Sequence, residues 1–300
     1  MTTIQPSTVA ISATGLSKSY GDKVVLDGID LHVSAGPVPP TAVWARARPV
    51  CDRAHMSEEF EGDLTGAVFW GADLTGARFR DVNLSGARIS HAWLVDVDID
   101  ALVERMVING VDVTTYVNER DPWYPLRAMI RRDTDPDGLR VAWAALEAEW
   151  AATIERARAL PEAAAHESVG GEWSFVQTVR HLVFAMDKWF TVPVSGGGLH
   201  PMGLPDTGSK DLPWPDLDPS LSPSLDDALA VRADRAHHFR TFLDDLATAD
   251  LDREVDVPEN GANPLRECLF TVLEEEFWHL RYARRDLEHL ERATSTSPPG

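Results

Sequence analysis

The stretch EWSFVQTVRHLVFAM, Glu172 to Met186, decides how the chain folds. Phe175, Val179, Leu182, Val183 and Met186 recur at three- and four-residue intervals, and Phe190 continues the series. That spacing puts them on one face of a helix, expected over about 174–191. Ser174 precedes the pattern, where its hydroxyl can accept a hydrogen bond from a free amide of the first turn. His181 falls on the flank of the apolar face rather than in its middle. It is expected at the rim of a pocket.

A second helix with a flanking histidine lies far downstream. In LEEEFWHLRYARRDL, Leu273 to Leu287, and just before it, Leu269, Val272, Leu273, Leu280, Ala283 and Leu287 share a face of a helix expected over about 264–292. Glu275 and His279 are four apart, so successive turns present them to one side. Glu276 falls within the apolar face and would need a partner there, with Arg180 or a tyrosine as candidates. Two further amphipathic helices are expected. One covers about 136–160, with Leu139, Ala142, Trp143, Leu146, Trp150 and Ile154 inward and Asp137 near its start as a candidate cap. The other covers about 224–248, opened by Ser224 with Asp227 three residues on. Four such helices make a bundle. The Pro/Gly-rich connection 192–223 is long enough to cross between parallel neighbours.

Ahead of the bundle the chain repeats itself every five residues. Leu64, Phe69, Leu74, Phe79, Leu84, Ile89, Leu94 and Ile99 are large and apolar. Two positions before each sits a small or β-branched residue, from Gly62 and Ala67 through Ala92 and Val97. Period five suits neither helix nor strand. It suits a coil of square cross-section, one repeat per side, with large residues stacked inside. This pattern resembles the pentapeptide-repeat family and implies a short right-handed quadrilateral β-helix of about two coils, with 104–117 as a cap. Some members of that family imitate DNA. Residues 56–100 carry nine Asp/Glu against three Arg, a net of −6, but two coils are short for such a rod.

Residues 11–36 alternate apolar and polar residues around Gly-Asp turns, as short antiparallel strands do. They resemble the first strands of an ABC-transporter ATPase, in which Tyr20 would stack on adenine. No GxxxxGK[ST] follows anywhere, so nothing cradles the phosphates. The resemblance stops before the chemistry and reads as a truncated fragment.

The formal net charge of −20 repels phosphate backbones, which argues against direct nucleic-acid binding. No apolar run reaches membrane-spanning length and no secretory signal is visible. Cys51 and Cys268 make no disulfide framework. A cytoplasmic protein is expected.

The helices with His181 and His279 carry a more specific resemblance. Trp173–Ser174 followed by His181–Leu182 (WSxxxxxxHL), together with VLEEEFWHLRYARRDL, resembles the DinB superfamily of metal-binding four-helix bundles. The domain order resembles an actinobacterial branch that joins pentapeptide repeats to such a bundle. The family places one histidine on its second helix and an HxxxH pair on its last. Here Glu275 stands where the first histidine of that pair would be. The resemblance implies a divalent metal, zinc or nickel, held by His181, Glu275 and His279, with Glu276 as the alternative carboxylate. Two imidazoles and a carboxylate form a competent divalent site with one position open. The resemblance also implies a metal-dependent enzyme, a transferase or isomerase that activates a low-molecular-weight thiol for a small-molecule substrate. The base and the substrate contacts are not legible in the sequence, and a homodimer is compatible with it. The rivals are a non-catalytic, metal-stabilised binding module and an interaction protein led by the acidic repeats.

Other residues carry less. His237 and His238 are adjacent and point about 100° apart on a helix. His200 lies on the crossover, which could fold over the pocket mouth. Cys268 reads as a small core residue, and Trp173, Trp189 and Trp278 as packing. The expected organisation is multi-domain α+β: a truncated fragment and linker over 1–55, the repeat β-helix with its cap over 56–117, a connecting helix over 118–135, the four-helix bundle over 136–292 and a disordered tail over 293–300.

Overall fold

The computed structural model describes residues 9–20, 23–34, 60, 63–79, 82–206 and 214–296. The chain divides into two compact units, Met1–Ile89 and Ser90–Gly300.

In the first unit, β1 (Val9–Tyr20) pairs antiparallel with β2 (Lys23–Ser34) in a hairpin of two twelve-residue strands whose register shifts several times. The reading of Tyr20 as an adenine-stacking residue concerns a side chain outside the described set. The repeats follow. Residues with positive φ recur at Gly66, Gly71, Gly76, Gly86, His91 and Asp96, a spacing of five or a multiple of five. At Gly66, Gly76 and Gly86 a turn closes by a hydrogen bond of 2.9–3.0 Å, from Ala67 N–H to Leu64 C=O and its equivalents ten and twenty residues on. Glycine suits the third position of such a turn because it has no Cβ to clash at positive φ. The period is thus one corner per repeat. The enclosed β-helix expected from the pattern is not formed among the described residues. No strand ladder joins the repeats of 63–99, and their large side chains stay open, from 47% exposed at Leu74 to 70% at Ile89. Eight repeats make only two coils, so an inward side chain has a coil neighbour on one side at most.

In the second unit, β3 (Val107–Ile108) and β4 (Val111–Asp112) form a minimal hairpin. Helix α1 (Thr114–Asn118) lies almost wholly in the expected cap, and the span expected as one connecting helix, 118–135, holds only its last residue and the short α2 (Tyr124–Arg127). Pro125 lies inside the first turn of α2, where its missing N–H costs nothing, and interrupts any longer helix across the span. Helix α3 (Pro136–Arg158) is capped by Asp135, which accepts from Gly138 N–H at 2.8 Å, so the cap lies two residues before Asp137. A one-turn α4 (Glu162–Ala165) leads to α5 (Phe175–Met186), which continues as a π-helical segment over Asp187–Ser195 and ends at Gly196 in a left-handed conformation. Helix α6 (Leu225–Asp245) starts from the Ser224 cap. A 3₁₀ turn (Thr248–Asp250) and the hairpin β5 (Glu254–Val257) with β6 (Gly261–Pro264) precede α7 (Leu265–Thr296). Helix α7 carries the chain four residues into the span 293–300, expected as disordered. Residues 297–300 lie outside the described set.

Contacts between helices fix their directions. Trp150 meets Glu276, Thr153 meets Arg284 and Arg156 meets Glu291, so α3 and α7 run parallel. Trp143 packs on Phe239 and Arg158 pairs with Asp226, so α6 runs against α3. The α5 extension runs parallel to α6, with Asp187 on Arg235 and Phe190 on Phe239 and Phe242. The connection 192–223 therefore crosses between parallel neighbours. Arg180 holds it by donating to the carbonyls of Met202 (2.8 Å), Leu221 (2.6 Å) and Asp218 (3.3 Å). The core holds Trp143, Leu146, Trp150, Phe190, Phe239, Leu269, Leu273 and Leu280, all at most 2% exposed. Among the described residues, no helix is long and apolar enough to cross a membrane.

Candidate metal centre

Helix α5 begins with a reciprocal cap. Ser174 Oγ accepts from Gln177 N–H, and the Gln177 side chain accepts from Ser174 N–H at 2.9 Å. This closes the first turn and fixes where His181 points, two turns on. Helix α7 runs antiparallel beside α5 and brings Glu275 and His279 to the same place. His181, Glu275 and His279 each offer one ligating atom, all within 4.8 Å of one another. The ring centroids of the two histidines are 4.6 Å apart.

Both imidazoles have their tautomer set by a backbone carbonyl. His181 Nδ1 lies 3.0 Å from Leu204 O, on the crossover, and His279 Nδ1 lies 2.8 Å from Glu275 O, one turn back. A carbonyl only accepts, so each Nδ1 carries a hydrogen, and each Nε2 keeps its lone pair whenever the ring is neutral. His181 Nε2 then faces Glu275 Oε2 at 3.3 Å. Two electron-rich atoms at that distance require a cation between them, either a proton or a metal ion. Two ligands about 2.0–2.1 Å from a tetrahedral ion are about 3.3–3.4 Å apart. The donor set and this spacing both fit a divalent metal.

The charge states also suit coordination. Burial, followed by the charge of His181, pushes His279 down to about 4, so it is neutral near pH 7. Burial alone would raise the Glu275 carboxyl. The hydrogen bond with His181 and the charges of His181, His279 and Lys188 outweigh it and hold the group below the ordinary carboxylate range.

His181 is only 3% exposed, not the rim residue its place on the helix wheel suggests. Trp173 and the crossover cover it. The Trp173 ring lies 4.7 Å from the His181 ring and 6.1 Å, nearly parallel, from the His279 ring. Trp173 is thus a wall of the site, more than packing. Leu204 reaches the site from a loop whose sequence gives no hint of the contact.

Glu276 is not a ligand. It is 2% exposed and its carboxylate is bound by Arg232 of α6, neither Arg180 nor a tyrosine. Burial pushes its pKa up despite that cation, and Arg232 lies over the Trp150 ring at 4.6 Å. His200 stays outside the triad: its N–H donates to Asp187 and its Nδ1 accepts from Met202 N–H. His237 and His238 lie on α6 with rings 6.0 Å apart, and His238 faces Asp234. Cys268 is fully buried, its thiol pushed up to about 11, which makes it a core residue and a poor nucleophile. Lys188, two turns after His181, escaped the sequence reading. Its only signal was a charged residue inside the apolar run Leu182–Phe190.

No curated protein matches the chain. A family profile described as the DinB superfamily matches residues 145–283, and pentapeptide repeats match residues 63–99 in eight copies. The first match spans α5 and α7 as far as residue 283 and contains the whole triad. The chain therefore carries a DinB superfamily domain behind a run of pentapeptide repeats.

Proposed function

We propose that the protein is a divalent-metal-dependent enzyme that uses a low-molecular-weight thiol, as a transferase or isomerase acting on a small molecule in the cytoplasm. The observation that carries this reading is the convergence of His181, Glu275 and His279, whose ligating atoms lie within 4.8 Å of one another. A bound divalent ion, zinc or nickel by the donor types, supplies Lewis acidity that lowers the pKa of a thiol. The chain's own residues do the rest. The Leu204 and Glu275 carbonyls hold the two rings in one tautomer. Glu275 contributes a negative charge, which leaves the loaded site with a single net positive charge. Trp173 shields one side of both rings from water. The repeats act as a scaffold.

The test is metal analysis of purified protein, followed by thiol conjugation to a panel of electrophiles with and without metal. One metal per chain together with metal-dependent consumption of thiol supports the proposal. A protein that binds no metal refutes it. The stacked Trp173, which narrows access, favours a second reading: a metal-stabilised binding module. Stoichiometric metal with no thiol chemistry would select that reading.

A further inference from the structure

Lys188 stands out as a largely buried cation with no counter-ion among the described residues. The residue is 8% exposed, yet its ammonium makes no hydrogen bond or ion pair with any described residue. Other buried charges nearby are matched: Asp187 by Arg235, and Glu276 by Arg232. A buried ammonium without a partner is costly. The sealed, partnerless side-chain atoms among the described residues belong to Arg127, Trp143, Arg232 and Arg281, so the Lys188 ammonium keeps access to solvent. Burial pushes its pKa down, while Asp206, Glu259 and Glu275 pull the other way from beyond ion-pair distance.

Its position connects it to the metal centre. Lys188 follows His181 by seven residues, two turns along one continuous helical segment, so both project to one side. Aromatic rings line the way between them. Phe184 lies 6.1 Å from the His181 ring, Trp214 lies 5.2 Å from Phe184, and the Lys188 ammonium is 5.8 Å from the Trp214 ring and 5.6 Å from the Trp189 ring. A cation at one end, ligating atoms at the other and apolar rings between suit a short ligand with an anionic end.

We propose that Lys188 binds the carboxylate of a small thiol whose sulfur occupies the open coordination position, so that the co-substrate is an anionic thiol. This rests on the metal-dependent thiol reading above and adds the class of thiol. An incoming carboxylate supplies the missing counter-ion, and the aromatic walls strengthen the pairing by excluding water.

The test uses the full chain loaded with cobalt(II), titrated with 3-mercaptopropionate and with 2-mercaptoethanol, and followed by the sulfur-to-cobalt charge-transfer band. The wild type binds the carboxylate-bearing thiol at least tenfold more tightly. Lys188→Met abolishes that preference without weakening 2-mercaptoethanol, and Lys188→Arg retains it. Equal affinity for both thiols in the wild type, or a preference that survives Lys188→Met, overturns the proposal. The metal-free protein gives a separate readout, because Trp189 and Trp214 flank the ammonium. Their emission changes on adding 3-mercaptopropionate in the wild type and not in Lys188→Met. Failure to load cobalt with that response intact overturns the metal reading. Normal cobalt loading with no response overturns the lysine anchor.

Discussion

His181 Nε2 and Glu275 Oε2 stand 3.3 Å apart, with the other nitrogen of the histidine already committed to Leu204 O. The pair is arranged to share a cation. Replacing His181 by alanine is expected to lower metal affinity at least a hundredfold, and Glu275→Gln at least tenfold, read by chelator competition. Unchanged affinity in both variants would remove the triad from metal binding.

Glu276 makes the opposite prediction, though it is the neighbouring residue. Glu276→Ala leaves the Arg232 guanidinium buried without its anion, which costs about 3–5 kcal/mol of stability. Metal stoichiometry should stay at the wild-type value. Urea denaturation and metal analysis of the same preparation check both halves, and loss of metal in a folded Glu276→Ala would place this carboxylate on the ion.

The pH dependence of the metal-free protein follows from His279. Its folded value of about 4 lies below the ordinary 6.5, so the unfolded chain takes up the proton first as pH falls. The stabilisation is complete above about pH 6.5 and is lost as pH drops towards 4. Glu275, also lowered, adds a loss below its ordinary 4.5. Together they should cost about 2–3 kcal/mol between pH 7 and pH 4. Denaturant titrations at several pH values read the slope, which should be shallower in His279→Gln.

Asp187 should matter without touching the site. It is fully buried, accepts His200 N–H at 2.7 Å and Arg235 Nε–H at 2.6 Å, and so pins the crossover that carries Leu204. Asp187→Asn is expected to weaken metal binding about tenfold through the loosened Leu204–His181 bond. Hydrogen exchange at the His200 amide should accelerate in the same variant. Tight metal binding with a fast amide would uncouple the strap from the site.

Metal removal should lower the melting temperature. At free metal about a hundred times the dissociation constant, binding contributes about 2.7 kcal/mol, which a strong chelator takes away. The loss should vanish in His181→Ala.

The triad was legible because its parts are local. The Glu275–His279 spacing is a property of one helix, and the Ser174 cap sets the phase of the other. What the sequence hid depends on groups brought together by folding. Arg232 and Glu276 meet across two helices, and nothing near either announces the other. His181 looked marginal on its wheel because the covering comes from Trp173 and Leu204, outside the helix itself. Lys188 went unnoticed because its lack of an ion-pair partner among the described residues shows only in the folded chain. The five-residue period correctly marks corners at Gly66, Gly71, Gly76, Gly86, His91 and Asp96, but period alone does not say whether the stack is long enough to close. The single helix expected over 118–135 overlooked how Pro125 divides the span.

The two halves of the triad are separated by 94 positions in the chain. During synthesis a ribosome therefore delivers His181 well before either of its partners. A nascent chain offers an ion one isolated imidazole, and later the Glu275–His279 pair, neither of which is a complete claw. On the proposed metal reading, acquisition of the ion is the closing event of maturation, possible only after α7 has docked. A cell short of the ion would accumulate a finished bundle awaiting its cargo, not a half-made polypeptide.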